Sequence, residues 1–393
     1  MIAGFLFGVL PLLVWLYLLL GRDGFWRLKE RDTVGEPPPP RTWPAVVAIV
    51  PARNEADVIQ QSIGSLLAQD YKGPLHVILV DDRSSDATAD LARALHSEKL
   101  TVLAGAGRAP GWTGKLWAMQ QGVERATLLA PEFLWFTDAD IAHAPDNLSR
   151  LVARAEEGEK ALVSLMARLS CHSTAEHFLV PAFVFFFDML FPFAAVNDPS
   201  RKTAAAAGGS MLARRAALEA AGGLEAIRGN IIDDCALARI MKRQGPIWLG
   251  LTDRSLSLRP YETLNDIRQM VSRTAYAQLD YSVLKLLGTL GGLGIVYIAP
   301  VATALFAWDT FQLSGWLAWI IMVLMFQPIL RFYRLSPFWG VALPLIGAFY
   351  AAFTLDSAIQ HWLGRGGMWK GRAQANGNLA GENLGSENLE SGL

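Results

Sequence analysis

Phe133-Leu-Trp-Phe-Thr-Asp-Ala-Asp140 reads as a four-residue apolar strand, Phe133–Phe136, that ends in two carboxylates separated by one residue, Asp138 and Asp140. The same layout occurs twice upstream. Ala45–Val50 is an apolar, partly β-branched run followed by Pro51-Ala-Arg53-Asn-Glu55, and Leu75–Val80 is followed by Asp81-Asp82-Arg83-Ser84-Ser85-Asp86. Leu100–Leu103 and Ala161–Met166 are further short apolar runs, and helical patterns at Asp57–Gln69, Ala87–Leu95, Lys115–Ala126 and Asn147–Ala155 separate the set. Short strands alternating with helices predict an α/β domain over residues 45–260, with a mainly parallel sheet covered on both faces. Ligands of such sheets bind at the carboxyl ends of the strands, which is where these acids fall.

The chain around this domain is of a different kind. Hydrophobic residues make up 52% of the 393 and charged residues 18%, below the soluble norm of roughly 25%, so membrane segments are expected. Ile2–Leu20 is an unbroken apolar run, read as a transmembrane anchor over residues 1–21. Arg22, Arg27, Lys29 and Arg31 follow it and hold what comes next in the cytoplasm. Residues 22–44 form a basic, proline-rich linker in which Pro37–Pro40 make a stiff stalk. Phe178–Val196 is apolar but carries Asp188 and two prolines, and is expected to lie at the membrane interface rather than in a core or across the bilayer. Residues 261–285 are expected to be an amphipathic interfacial segment. Leu286–Trp308, Phe311–Leu330 and Phe338–Leu355 are three apolar runs of spanning length within 286–356.

Counted with the anchor, these make four spans and put the C-terminus opposite the domain. Arg331, Arg334, Arg365, Lys370 and Arg372 flank the last run, so the charge rule opposes that count. Either the last run, broken by Pro344 and Gly347, is re-entrant, or a neighbour does not fully cross. Residues 357–393 are basic at first and then read as a disordered tail. A net charge of −1 argues against nucleic acid as partner, and two cysteines, Cys171 and Cys235, allow no disulfide framework or cysteine zinc site.

Several positions carry chemistry, each with a plainer reading beside it. The Pro51–Glu55 turn offers backbone amides to an anionic or polar ligand, or is only a capped turn. Asp82 sits where such sheets hold ligands, while Asp86 is expected to cap the helix that begins at Ala87. Asp138 and Asp140 are hard oxygen donors suited to Mn²⁺ or Mg²⁺, or are a surface turn. His143 is close by but reads as polar surface more readily than as a ligand. Lys115, at a helix start after Gly114, can act as a point charge on a diphosphate, or is an exposed surface lysine. Gly208-Gly209-Ser210 lets a substrate approach the backbone. Asp233 and Asp234 open a helical pattern; paired acids raise each other's pKa, so a general base is expected here, with Asp234 favoured and Asp233 open between capping and catalysis.

Taken together these residues resemble a family 2 glycosyltransferase of the GT-A fold over about Val46 to Arg273. The resemblance implies that Pro51, Arg53, Glu55 and Asp82 hold the nucleotide, that Asp140 sits on the metal with Asp138 nearer the ribose, and that Lys115 and Gly209 contribute to the donor site. Gly114-Lys115, Ala118, Gln120 and Gly122 match the family's helical element, with Met119 and Gln120 in place of Leu and Asn. Asp234 takes the place of the base, with Asp233 standing for Glu. The region Gln269-Met-Val-Ser-Arg273-Thr departs from the Q-x-x-R-W pattern of processive synthases, which favours transfer of a single sugar.

The context Gly111-Trp112-Thr113-Gly114-Lys115 and the segment Trp369-Lys370-Gly371-Arg372 resemble the ceramide- and carotenoid-glycosylating branch, and the layout resembles the hopanoid-associated glycosyltransferases of bacteria. What this implies is an inverting, multi-pass enzyme of the bacterial inner membrane with its catalytic domain in the cytoplasm. It would move one sugar from a UDP-linked donor to a hydroxyl of a hopanoid-like lipid. The alternatives are a polyprenyl-phosphate glycosyltransferase or polysaccharide synthase, and an inactive membrane scaffold that keeps the fold.

Overall fold

The structure is a computed structural model and describes residues 5–40, 42–308, 310–369 and 372–373. Eight strands form one sheet: β1 (Val46–Ala52), β2 (Leu75–Asp81), β3 (Leu100–Ala104), β4 (Phe133–Phe136), β5 (Ile141–His143), β6 (Leu162–Arg168), β7 (Met211–Arg214) and β8 (Ile247–Ser257), in the order β3-β2-β1-β4-β7-β6-β8-β5. Both faces are buried, which is why β1 and β2 read as continuous apolar runs. Val47, Ile49, Ile78 and Val80 turn to one face and Val46, Ala48, Val50, Val77 and Leu79 to the other. Helices α2 (Ile59–Leu67) and α5 (Asn147–Glu156) cover the second face through Ile59, Ile63, Leu148 and Leu151. On the first face lies α4 (Gly114–Ala126), which approaches β1 so closely that a Cβ on Gly122 would stand 2.5 Å from Ile49 Cγ2.

The sheet is mainly parallel, as expected, with two antiparallel strands, β5 and β7, that make it mixed. β3, β2, β1 and β4 run parallel, as do β6 and β8, but β7 is antiparallel to both β4 and β6, and β5 to β8. The sequence reading omitted β5, β7 and β8. β5 has three residues, and the second half of β8, Thr252-Asp-Arg-Ser-Leu-Ser257, is polar because part of it is open to solvent.

Helix α6 (Thr174–Leu190) corrects the interfacial reading of Phe178–Val196. It begins with a capping box, in which Ser173 Oγ accepts the Glu176 N–H and Glu176 accepts that of Ser173. From there it runs between the sheet domain and the apolar C-terminal helices. Phe185 is 1% exposed, with its ring 5.2 Å from Phe25 and 5.3 Å from Phe326. Asp188, unexpected in so apolar a helix, accepts the Phe193 N–H at 2.9 Å. A helix apolar on every side is satisfied equally by lipid or by protein, and here protein covers it.

Three helices, α9 (Val283–Phe306), α10 (Phe311–Phe332) and α11 (Pro337–Trp362), are long and apolar enough to cross a membrane. The described part of the N-terminal run is a shorter apolar helix, Phe7–Gly21, whose α-helical portion is α1 (Leu10–Gly21). Trp15 of α1 donates to Val296 O at 2.8 Å. Domain core and apolar helices share one buried cluster that runs from Ile49 through Phe185 to Phe326 and Ile346.

The proline linker is not a free stalk. The Asp32 N–H donates to Leu251 O at 3.0 Å, Arg150 pairs with Glu36, and Pro37, Pro39 and Pro40 wall a cavity of about 360 Å³ beside Trp248. The first four residues of the N-terminal apolar run, Lys370 and Gly371 of the Trp369–Arg372 segment, and residues 374–393 of the tail lie outside the described residues.

Candidate active site

The carboxyl ends of β1, β4 and β8 and the start of α7 (Asp233–Met241) surround a cleft of about 540 Å³. Six acidic residues line it (Glu55, Asp138, Asp140, Asp233, Asp234 and Asp266) together with three basic ones, Lys115, Arg259 and Arg273. Pro51, Gly208 and Gly209 complete its polar floor, while Met166, Leu169, Phe183, Phe187 and Met270 form an apolar wall on the side of α6.

Lys115 stands at the first turn of α4, where Thr113 caps the helix by accepting the Leu116 N–H. Its Nζ lies 2.8 Å from Asp138 and 3.1 Å from Asp233. Burial alone would lower its pKa, but the carboxylates of Asp138 and Asp233 outweigh that and hold the ammonium well above its usual range. Asp138 keeps 33% of its side chain open to the cleft. Burial, and then the neighbouring Asp140, push its carboxyl up against the opposing pull of Lys115.

Asp234 is held by two backbone amides: Gly208 N–H donates to Oδ2 at 3.1 Å and Cys235 N–H to Oδ1 at 2.7 Å. Burial, with Asp233 beside it, nonetheless pushes its pKa up to about 6. Neither Asp233 nor Asp234 caps α7 through its side chain, since the N-cap is Ile232. Asp234 is thus a carboxylate poised near neutrality and facing a cleft, the environment in which general bases are found.

Of the glycine pair, Gly208 opens the site. A Cβ there would stand 3.3 Å from Lys115 Nζ and 3.6 Å from both Asp138 Oδ2 and Asp234 Oδ2. Gly209 instead packs on Ala167 and accepts Thr137 Oγ1 at 2.8 Å. Arg53 and Asp82 lie just outside the lining. The Arg53 guanidinium donates to Asp82 O at 2.6 Å and to Arg83 O at 3.0 Å, tying the β1 turn to the β2 turn. Asp86 accepts from Thr88 and from the Ala56 N–H, so it secures the same pair of turns as well as the start of α3 (Thr88–Arg93).

His143 is not at the site's surface. It is buried against Thr137, Ser255 and Asn147, and burial brings its pKa down to about 3, a neutral structural imidazole.

Gly208 bears out the close approach expected of the glycine pair, while one position escaped the sequence reading: Arg259. Arg259 follows β8, donates its Nε to Asp140 Oδ2 at 2.8 Å and its Nη2 to Glu55 at 3.0 Å. Its signal is the pattern already used for the other turns, a polar residue just after a strand end. Among the described residues no group of three or more His, Cys, Asp and Glu side chains forms a ready-made metal cage. The donor set nevertheless fits a hard divalent cation. Asp138 and Asp140 offer the one or two carboxylates that such ions combine with substrate phosphates, the lining carries an excess of acids, and Gly208 leaves the adjoining space empty of side chain.

Residues 47–222 match the family described as Glycosyl transferase family 2. Over this segment the chain is similar to that family. The segment contains every lining residue from Pro51 to Gly209. The chain is 31% identical over 153 residues to an N-acetylglucosaminyltransferase of Mesorhizobium japonicum, covering 37% of this chain and 34% of that protein. It is 33% identical over 123 residues to a 4,4'-diaponeurosporenoate glycosyltransferase of Staphylococcus aureus, covering 31% of each. The chain thus spans about a third of the length of the curated relatives it matches. In fold it is similar to the mannosyltransferase PcManGT from Pyrobaculum calidifontis, solved with GDP-Man and Mn²⁺, with a TM-score of 0.56, 21% identity, and coverage of 90% of this chain and 95% of that one. The domain therefore has a GT-A-like fold.

Proposed function

We propose that the protein is a membrane-bound, inverting glycosyltransferase that moves one sugar from a nucleotide-diphosphate sugar to a hydroxyl of a lipid. The observation that carries this is Asp234, a carboxylate raised to about 6, on the same cleft as Lys115, Asp138 and Asp140 and opposite an apolar wall of Phe183, Phe187 and Met270. Donor and acceptor chemistries meet in one cavity.

Lys115 holds the diphosphate as a point charge beside the N-terminus of α4, and Gly208 gives the sugar room against the backbone. Asp138 and Asp140 would hold Mn²⁺ or Mg²⁺, which when bound supplies Lewis-acid charge to the leaving diphosphate. Asp234 accepts the proton of the acceptor hydroxyl. As that oxygen bonds to the anomeric carbon, the bond from that carbon to the diphosphate breaks and the diphosphate leaves with the electron pair. One displacement inverts the configuration. Pro51, Arg53, Glu55 and Asp82 are assigned to the nucleotide, and a UDP-linked donor is the reading the sequence resemblance supports.

The lipid assignment rests on the apolar wall, the apolar helices packed behind it, and the similarity to a carotenoid-acid glycosyltransferase. A hopanoid-like polyol is the acceptor we assign. The site faces the cytoplasm of a bacterial inner membrane, and the catalytic domain comprises residues 45–260.

The experiment uses the full chain in lipid vesicles with labelled UDP- and GDP-sugars and a hopanoid polyol, and reads products by mass spectrometry. A mass increment of one sugar on the lipid, lost in Asp234→Asn, is expected. Long sugar chains would make it a polysaccharide synthase, transfer to polyprenyl phosphate alone would move the acceptor, and neither transfer nor donor hydrolysis would make it a scaffold.

A further inference from the structure

We propose that Arg259 couples the two ligands of the cleft: it holds Asp140 in the unliganded chain, so that a divalent cation binds poorly alone, and yields Asp140 when the donor's diphosphate enters with the cation. The inference rests on the metal and donor reading above. It adds to that reading an order of binding and the residue that sets it.

The pairing of Arg259 with Asp140 is built by the sheet. β5 and β8 run antiparallel with Ile141 opposite Ser257, so Asp140 and Leu258 come next in register, and the Leu258 N–H donates to Asp140 O at 2.7 Å. Arg259 is the next residue. Beyond it the main chain is fixed again at the start of α6, where the Tyr261 N–H donates to Glu176 Oε1 at 2.7 Å and Ser173 Oγ donates to Tyr261 O at 3.3 Å. Thr263 then caps α8 (Leu264–Ser272) by accepting the Asp266 N–H. With the backbone pinned on both sides, a change of partner at Arg259 needs only its side chain to turn.

That side chain bridges two carboxylates. Nε donates to Asp140 Oδ2 at 2.8 Å and Nη2 to both oxygens of Glu55 at 3.0 Å, while Nη1 has no partner among the described residues. The acids are the enclosed members, 18% exposed at Asp140 and 10% at Glu55, against 35% at Arg259. Bonds between ions of this kind are among the stronger hydrogen bonds, and a guanidinium cannot shed its proton to make way. Whichever oxygen of Asp140 a cation used, a fixed positive charge would stand one carboxylate away.

Charge also explains why the donor releases the hold. A divalent cation alone adds two positive charges beside Arg259. A nucleotide-diphosphate sugar alone adds one negative charge per phosphate to a cleft lined by six acids and three bases. Entering together they add none. The diphosphate also offers Nη1 and the freed Nε oxygen acceptors that suit the guanidinium fork, while Glu55 keeps Nη2, so Arg259 changes one partner without losing both. Linkage requires the effect to be mutual: the cation tightens the diphosphate by the factor by which the diphosphate tightens the cation.

The test follows free Mn²⁺ by electron paramagnetic resonance while the full chain in detergent is titrated, with and without saturating UDP, after subtraction of the Mn²⁺–UDP complex in solution. UDP is expected to tighten Mn²⁺ binding by wild type about 100-fold, within the range of coupled sites. In Arg259→Met the gain should shrink to about tenfold, the part owed to direct contact between cation and phosphate, because Mn²⁺ alone now binds more tightly. Arg259→Lys keeps the charge but cannot hold Asp140 and Glu55 together, and should fall between the two. Thermal unfolding checks that each variant is folded. An equal gain in wild type and Arg259→Met would overturn the proposal and leave the metal assignment standing. Equal Mn²⁺ binding by wild type with and without UDP would overturn it whether or not the variants fold, and no Mn²⁺ binding under either condition would overturn the metal assignment as well.

Discussion

Arg259 donates its Nε to Asp140 Oδ2 across 2.8 Å, so the carboxylate that follows β4 is paired with a cation from the strand end of β8, 119 residues away. Asp138 is paired in the same way with Lys115. Both acids of the Asp-Ala-Asp turn thus have cationic partners within the chain, and any ligand that takes Asp140 must compete with a guanidinium.

Removing that competitor should strengthen metal binding. Arg259→Met is expected to tighten Mn²⁺ binding in the absence of donor about tenfold or more, equivalent to ~1.4 kcal/mol. Arg273→Met, which removes a charge from the same cleft without touching the Arg259–Asp140 pair, should do less. Electron paramagnetic resonance of free Mn²⁺ in titrations of the two variants checks this; equal effects would reduce Arg259 to a general charge.

Asp234→Asn should fold, bind nucleotide sugar nearly as well as wild type and lose ~10²–10⁴ of kcat, the range for a missing general base. In wild type, kcat/KM should fall as pH drops below about 6, where the carboxylate takes up its proton. A flat profile between pH 5 and 8 would count against the role.

The same group leaves a mark on stability. Its pKa in the fold exceeds the ordinary carboxylate value of 3.8, so between that value and about 6 the folded protein keeps a proton that the unfolded chain has lost. Stability therefore falls as pH rises through that window. Asp234→Asn lacks this dependence, and its Tm relative to wild type should improve between pH 4 and pH 7 in a thermal scan.

Gly208→Ala would set a methyl 3.3 Å from Lys115 Nζ and 3.6 Å from Asp138 and Asp234. Donor KM should rise several-fold while Tm changes by little, since those neighbours are side-chain ends that can shift. A large drop in Tm would mean that the position is structural.

Phe185 and Phe187 are two residues apart and should behave oppositely. Phe185→Ala empties a buried site against Phe25 and Phe326 and should cost about 3–5 kcal/mol, read by chemical denaturation. Phe187→Ser alters the cleft wall and should raise lipid KM with donor binding unchanged.

The parts of the fold legible in the sequence were those where both faces are buried, so that β1, β2 and β4 stand out as apolar runs with an acid at, or within three residues of, their ends. β8 was lost because burial changes along its length, and α6 was misplaced because lipid and protein impose the same apolar composition on a helix. Lys115, Asp138, Asp140 and Asp234 do converge on one cleft. Arg259 was missed because β8, the strand whose end it follows, was not recognised, and its contacts with Glu55 and Asp140 arise only after the chain has folded back.

The shared core has a practical consequence for anyone cutting this gene. A fragment ending before Val283 would keep the whole eight-stranded sheet, yet it would strip Phe326 from Phe185 and Tyr350 from Phe186 and Leu179, baring the far side of α6 to water. The apolar helices are therefore not a detachable mooring. They serve as the second half of the domain's interior, and removing them would be expected to yield aggregates in place of a soluble domain.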